Sequence, residues 1–245
     1  MRVFGKVAYQ GSHYQGWQKQ SDAPSVEETI ESVLSKILNQ DINIYGSGRT
    51  DAGVHAINQT FHFDVEKEGL DLDKLKYAAN SLLPKDILIK ELKVVDDDFH
   101  ARFSIKEKTY EYVIRFGERD VFNYQNEATI PYPTDIKKME ESLKLFIGKH
   151  NYQNFTSKEE DEAGFVREIK EITTKYNKEE NRLTITLTGN GFMRYMVRYI
   201  IGTALAIGQG KEDMSFITDN LDQKERNIIS YKAPAEGLFL KDVKY

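Results

Sequence analysis

Cysteine is absent from the 245-residue chain, which removes disulfides, thiolate zinc sites and every thiol nucleophile together. The lack fits a reducing compartment. Proline is scarce, at five residues, and no Gly/Ser-rich or Pro-rich segment marks a linker. No long apolar run occurs: the longest, Tyr199 to Ile207, follows Arg194 and Arg198 and falls well short of the roughly 18 residues a membrane span requires. The start, Met1-Arg2-Val3-Phe4-Gly5-Lys6, has no apolar stretch behind its charge, so neither a secretory signal nor a membrane partner is expected. Positive charge is also in deficit. The 34 Lys and Arg against 39 Asp and Glu leave −5, with a pI near 5.7, which at first sight argues against a nucleic-acid binder.

What is present is a globular composition, 40% hydrophobic and 30% charged, enough apolar material for one large domain or two small ones. Val3 to Tyr9 reads as a strand. Ser25 to Leu38 carries Val26, Ile30, Val33, Leu34, Ile37 and Leu38 on one helical stripe, with a capping-box pattern at Ser25 and Glu28. Ile42 to Tyr45 reads as a short strand. Ile57, Gln59, Phe61 and Phe63 alternate with Asn58, Thr60 and His62 as in a half-buried strand, which puts His62 on the polar face. A helix over Asp71 to Leu83 stops at Pro84, and Ile87 to Val95 is a branched strand. The second half repeats the order: strand Thr109 to Phe116, helix Thr134 to Ile147, strands Val166 to Tyr176 and Arg182 to Thr188, helix Phe192 to Ile207 and a strand at Gly237 to Val243. Two βαββαβ copies predict an α+β protein of two halves, 1–100 and 101–245, joined through their sheets with a cleft between them.

Between the second and third strands lies Gly46-Ser47-Gly48-Arg49-Thr50-Asp51-Ala52-Gly53-Val54-His55-Ala56, longer than a hairpin needs. Its glycines suit positive φ, and Thr50 and Asp51 suit local side-chain turns. It is a poor phosphate cradle, with no helix behind it and no Walker lysine. Length and the Arg-Asp pairing favour function. Asp51 could act as nucleophile, general base or metal ligand; His55 lies four positions further on, the one close approach to ligand spacing among the five histidines. A metal-dependent hydrolase on Asp51 and His55 therefore stands as one alternative.

The segment Gly48-Arg49-Thr50-Asp51-Ala52-Gly53-Val54-His55-Ala56 resembles the active-site signature of the tRNA pseudouridine synthase A family. Matching segments follow in order: Tyr14-Gln15-Gly16-Trp17-Gln18, Asp97-Asp98-Phe99-His100-Ala101-Arg102-Phe103-Ser104, Thr109-Tyr110-Glu111-Tyr112, Met196-Val197-Arg198 with Ile201-Gly202, and Glu236-Gly237-Leu238. The resemblance implies two ferredoxin-like halves sharing an extended mixed sheet with the active site between them. It implies isomerisation of uridine to pseudouridine at positions 38 to 40 of the tRNA anticodon stem-loop, by a cytoplasmic homodimer. No cofactor is implied, since the reaction involves no redox change, and no metal ligand is assigned.

By the same resemblance Asp51 is the nucleophile, Arg198 its ion-pair partner and Tyr110 the group that lies against the base and helps remove the C5 proton. Arg49 takes a base-flipping role, and Thr50, His55 and Arg102 join Tyr110 and Arg49 in binding substrate. Two positions depart from the family pattern, Gln10 where Asp is usual and Lys158 where an aromatic is common. The run Lys158 to Glu162 reads as a solvated loop.

The charge deficit is also uneven. Acids gather at Asp96-Asp97-Asp98 and Glu159 to Glu162, whereas Phe192 to Lys211 holds Arg194, Arg198 and Lys211 with no acid, and the segment from Arg102 to Arg115 carries its own basic excess. A basic patch, not a basic protein, is what phosphate binding requires.

Overall fold

The computed structural model describes residues 1–20, 23–66, 69–159 and 164–245. They form two compact units, Met1–Lys106 with Phe239–Tyr245, and Glu107–Leu238.

In the first unit, β1 (Arg2–Tyr9) pairs antiparallel with both β3 (His55–Asp64) and β4 (Ile87–Val95), and β2 (Tyr45–Gly46) pairs antiparallel with β3. The strand order 4-1-3-2 and the helices α1 (Val26–Leu38) and α2 (Leu72–Leu82) make a complete βαββαβ unit. Helix α1 starts where the Ser25 side chain accepts the Glu28 N–H and ends at Asn39 in the left-handed region, φ 50°. Asp71 caps α2 by accepting from Lys74, and Leu83 turns extended before Pro84. The core holds Trp17, Ile30, Leu34, Phe61, Phe63 and Ile89, all fully buried.

Three readings change here. Ile42 to Ile44 is not a strand, because the Ile42 N–H goes to Ser35 Oγ and the Ile44 N–H to Glu31 Oε1, both on α1. Strand β3 is not half-exposed: Gln59, Thr60 and His62 are buried along with Phe61 and Phe63. The cover comes from the segment after β4. His62 Nδ1 accepts the Ala101 N–H, and the Tyr245 hydroxyl bonds both Thr60 and the Ala101 carbonyl. His62 is thus a hydrogen-bonded interior histidine, its pKa pushed down to about 4 by burial and by neighbouring His100 and Arg2.

The third change is the boundary. Residues 101–106 belong with the first unit, and so does β10 (Leu238–Lys244) from Phe239 on, where Phe239 and Leu240 run parallel to His55 and Ala56 of β3. Periodicity marks a strand but not the sheet it joins.

The second unit contains β5 (Glu107–Phe116), β6 (Ala128–Ile130), α3 (Ile136–Lys144), β7 (Gly148–Asn151), β8 (Val166–Asn177), β9 (Arg182–Gly189), α4 (Met196–Gly208) and α5 (Ser215–Asn220). Its sheet runs β5-β9-β8-β7, antiparallel throughout, with β6 parallel to β5. Tyr110, Tyr112, Ile114 and Phe116 are buried at alternate positions of β5, as are Leu183, Ile185 and Leu187 of β9. Helix α3 is shorter than expected, beginning at the Asp135 cap. Helix α4 begins at Met196, four residues past the expected start, because Tyr195 adopts φ 63° and interrupts the helical backbone. Strands β6 and β7 are too short to show periodicity. The fold class is α+β. Residues 160–162 of the acidic run lie outside the described residues.

Candidate active site

Residues 47 to 54 connect β2 to β3 and carry the Arg-Thr-Asp triplet. Their backbone is fastened on one side by the segment after β1. Trp17 N–H donates to the Thr50 carbonyl at 3.2 Å and Gly53 N–H to the Tyr14 carbonyl at 3.4 Å. The Tyr9 and Thr50 hydroxyls bond at 2.8 Å in a buried position, and the Gly11 N–H donates to His55 Nδ1 at 2.9 Å. On the other side Gln59 accepts from Ser47 Oγ and donates to the Gly48 carbonyl. Gly11 and Gly16 are required by these approaches. A Cβ on Gly11 would stand 2.0 Å from the Val54 carbonyl oxygen, and one on Gly16, whose φ is +94°, 2.4 Å from that of Thr50. The loop is a held platform, the condition for aiming a reactive side chain.

Within it Asp51 is half-buried, its carbonyl accepting the Val54 N–H at 3.1 Å, and Arg49 is exposed. Thr50 and His55 are buried. The His55 ring stacks on Phe239 at 4.6 Å between centroids. Arg102 also lies in this unit, exposed, with its guanidinium 5.6 Å from the Phe103 ring. Among the described residues no three His, Asp or Glu side chains come together as a metal site.

The other two candidate residues lie in the second unit. Tyr110 is buried on β5, edge-on to Phe192 at 5.2 Å. Arg198 stands on α4, where every other residue from Met196 to Gly208 is buried. This helix has no polar face for a surface arginine. The Arg198 Nε donates to the Ala233 carbonyl at 2.8 Å. Burial raises the Tyr112 phenol well above its ordinary range, the Glu236 carboxylate adds to that, and the Arg198 charge opposes it. A guanidinium emerging from a helix that is otherwise wholly interior is costly unless an anion meets it.

The model of a family described as tRNA pseudouridine synthase matches residues 6–104 and 143–245. The chain belongs to the tRNA pseudouridine synthase family. It is 37% identical to tRNA pseudouridine synthase A of Streptococcus uberis over 98% of this chain and 96% of that one. It is 36% identical to the protein of the same name from Staphylococcus carnosus, over 99% and 90%, and 37% identical to that of Limosilactobacillus reuteri, over 97% and 94%.

Tyr14, Gly16 and Trp17 brace the loop over residues 47 to 54. Tyr9, Gly11 and Gln59 belong to the same support, and no sequence signal short of the tertiary contact marks them. Gln10, which departs from the family pattern, sends its backbone N–H to the Asp86 carbonyl.

Proposed function

We propose that this member of the family isomerises uridine to pseudouridine in tRNA with Asp51 as its nucleophile. The observation that carries the reading is the braced loop: main-chain bonds and two glycines without room for a Cβ hold the backbone on either side of Asp51. The reaction breaks the bond from N1 of uracil to C1′ of ribose, joins C1′ to C5, and transfers the C5 proton to a base while N1 gains one. Redox state does not change, so acid-base and covalent chemistry suffice. A carboxylate can add to C6 of the base or C1′ of the sugar.

Arg198 is the charge that keeps that carboxylate ionised. Tyr110 lies against the base and assists removal of the C5 proton. Arg49 enters the gap left by the flipped uridine, offsetting part of an unstacking cost of a few kcal/mol. Thr50 and His55 support the site from beneath, and Arg102 meets RNA further away. The substrate region is the anticodon stem-loop, positions 38 to 40. The enzyme works as a cytoplasmic homodimer, without cofactor or metal.

The test is tritium release from tRNA labelled at uridine C5, with EDTA present. Release by the unaltered protein and its loss in Asp51→Ala, which still binds tRNA, are expected. Binding without release identifies an RNA-binding module instead, and release abolished by EDTA a metal-dependent mechanism.

A further inference from the structure

Three cations converge on one ring in the second unit. Lys232 Nζ lies 4.5 Å from the centroid of Tyr195, and the guanidinium carbons of Arg194 and Arg198 lie 4.9 and 5.3 Å from it. A single aromatic quadrupole attracts a cation but does not neutralise both Arg194 and Lys232. Arg194 donates to a neutral group, the Tyr195 hydroxyl at 3.1 Å, and the Arg198 Nε donates to the Ala233 carbonyl. Among the described residues neither Arg194 nor Lys232 has a carboxylate within ion-pair distance, and both are exposed. The cluster is held in place. The Arg194 carbonyl accepts from Thr156 Oγ1 at 3.0 Å and from the Ser157 N–H at 3.4 Å, and the Tyr195 carbonyl accepts the Tyr199 N–H at 2.9 Å. A tyrosine at φ 63° is an uncommon backbone state, and here it aims the ring among the cations.

We propose that Arg194, Tyr195 and Lys232 form a clamp for the phosphodiester backbone of tRNA, next to the uridine that Arg198 serves; this rests on the isomerase reading above. The mutual repulsion of Arg194 and Lys232 is relieved when a phosphate enters between them, and an aromatic face lies available to the adjoining sugar or base. Arg198 thereby links the clamp to the reacting nucleotide, which favours RNA over an acidic protein partner.

The experiment is tRNA binding over a salt series, in the full-length chain carrying Asp51→Ala so that the ligand is not converted, with and without Arg194→Ala and Lys232→Ala together. The slope of log affinity against log salt is expected to fall by about 0.7 to 0.9 for each phosphate no longer neutralised, and affinity at low salt by about tenfold or more. The charge-keeping pair Arg194→Lys and Lys232→Arg should retain most of the slope. An unchanged slope in the alanine pair overturns the clamp, as does an equal fall in the charge-keeping pair, which would mark a structural role. Tritium release by protein with Asp51 intact is measured in parallel. Its absence tells against the isomerase reading alone, because the salt slope does not depend on turnover.

Discussion

The two units make the same connection, from their second to their third central strand, in opposite ways. In the second unit β8 passes to β9 through residues 178 to 181, closed by Asn177 accepting from the Glu179 and Glu180 N–H groups and by Asn181 at φ 50°. In the first unit the equivalent path, 47 to 54, is twice as long and needs outside help from Tyr9, Gly11, Trp17 and Gln59. A short turn closes itself, whereas a loop long enough to present Arg49 and Asp51 must be braced by its surroundings. The helices after these connections also differ. Only Leu75 and Ala79 of α2 are buried, while α4 is interior except for Arg198. One unit thus invests in a loop and the other in a charge on a buried helix.

The largest expected effect comes from removing that charge. Arg198→Met should lower turnover by about 10³-fold, as removal of a directly acting electrostatic group does, while Arg198→Lys should recover part of it; single-turnover tritium release measures both. Turnover kept within a few-fold by the methionine variant would remove Arg198 from the mechanism.

Gly16→Ala should come next. The added Cβ meets the Thr50 carbonyl and the left-handed backbone penalises it, so a stability loss of about 2 to 3 kcal/mol in urea unfolding is expected with a large drop in release. Normal activity in a stable variant would show that the brace is not needed.

A third effect follows from His62. It is buried uncharged with its pKa at about 4. At pH 7 it is neutral both folded and unfolded. As pH falls below the unfolded value near 6.5, only the unfolded chain takes up the proton, so stability should decline by up to about 1.4 kcal/mol per pH unit until pH 4. His62→Gln should flatten the dependence between pH 6 and 4, as measured by unfolding at each pH; an unchanged slope would assign it to other groups. The smallest change belongs to the short turn. Asn181→Ala loses the Nδ2 bond to the Phe116 carbonyl and strains a positive φ, for about 1 to 2 kcal/mol. If this variant released tritium more slowly than its stability loss explains, the division between a structural turn and a catalytic loop would fail.

Helix α1 with its Ser25 cap, helix α2 stopped before Pro84, and the alternation of β5 and β9 were legible in the chain, because capping and periodicity are local. So was the long connection from β2 to β3, whose length and Gly-Arg-Thr-Asp composition no plain hairpin requires. The misreadings share one cause. Ile42 and Ile44 bond to a helix, the polar side of β3 is covered by Ala101 and Tyr245, and Phe239 and Leu240 lie beside β3 of the first unit. Each depends on a partner distant in sequence.

The sequence by itself determined a cysteine-free α+β protein with a duplicated strand and helix order, a −5 charge that leaves local basic patches, and a long loop that carries Arg49 and Asp51. Only the tertiary structure decided that Gly11 and Gly16 brace Asp51, that Arg198 is the one residue of α4 left unburied, and that Arg194 and Lys232 crowd the Tyr195 ring. Composition and periodicity report what a residue prefers, but bracing, burial and charge convergence are properties of neighbours that the chain brings together only when it folds.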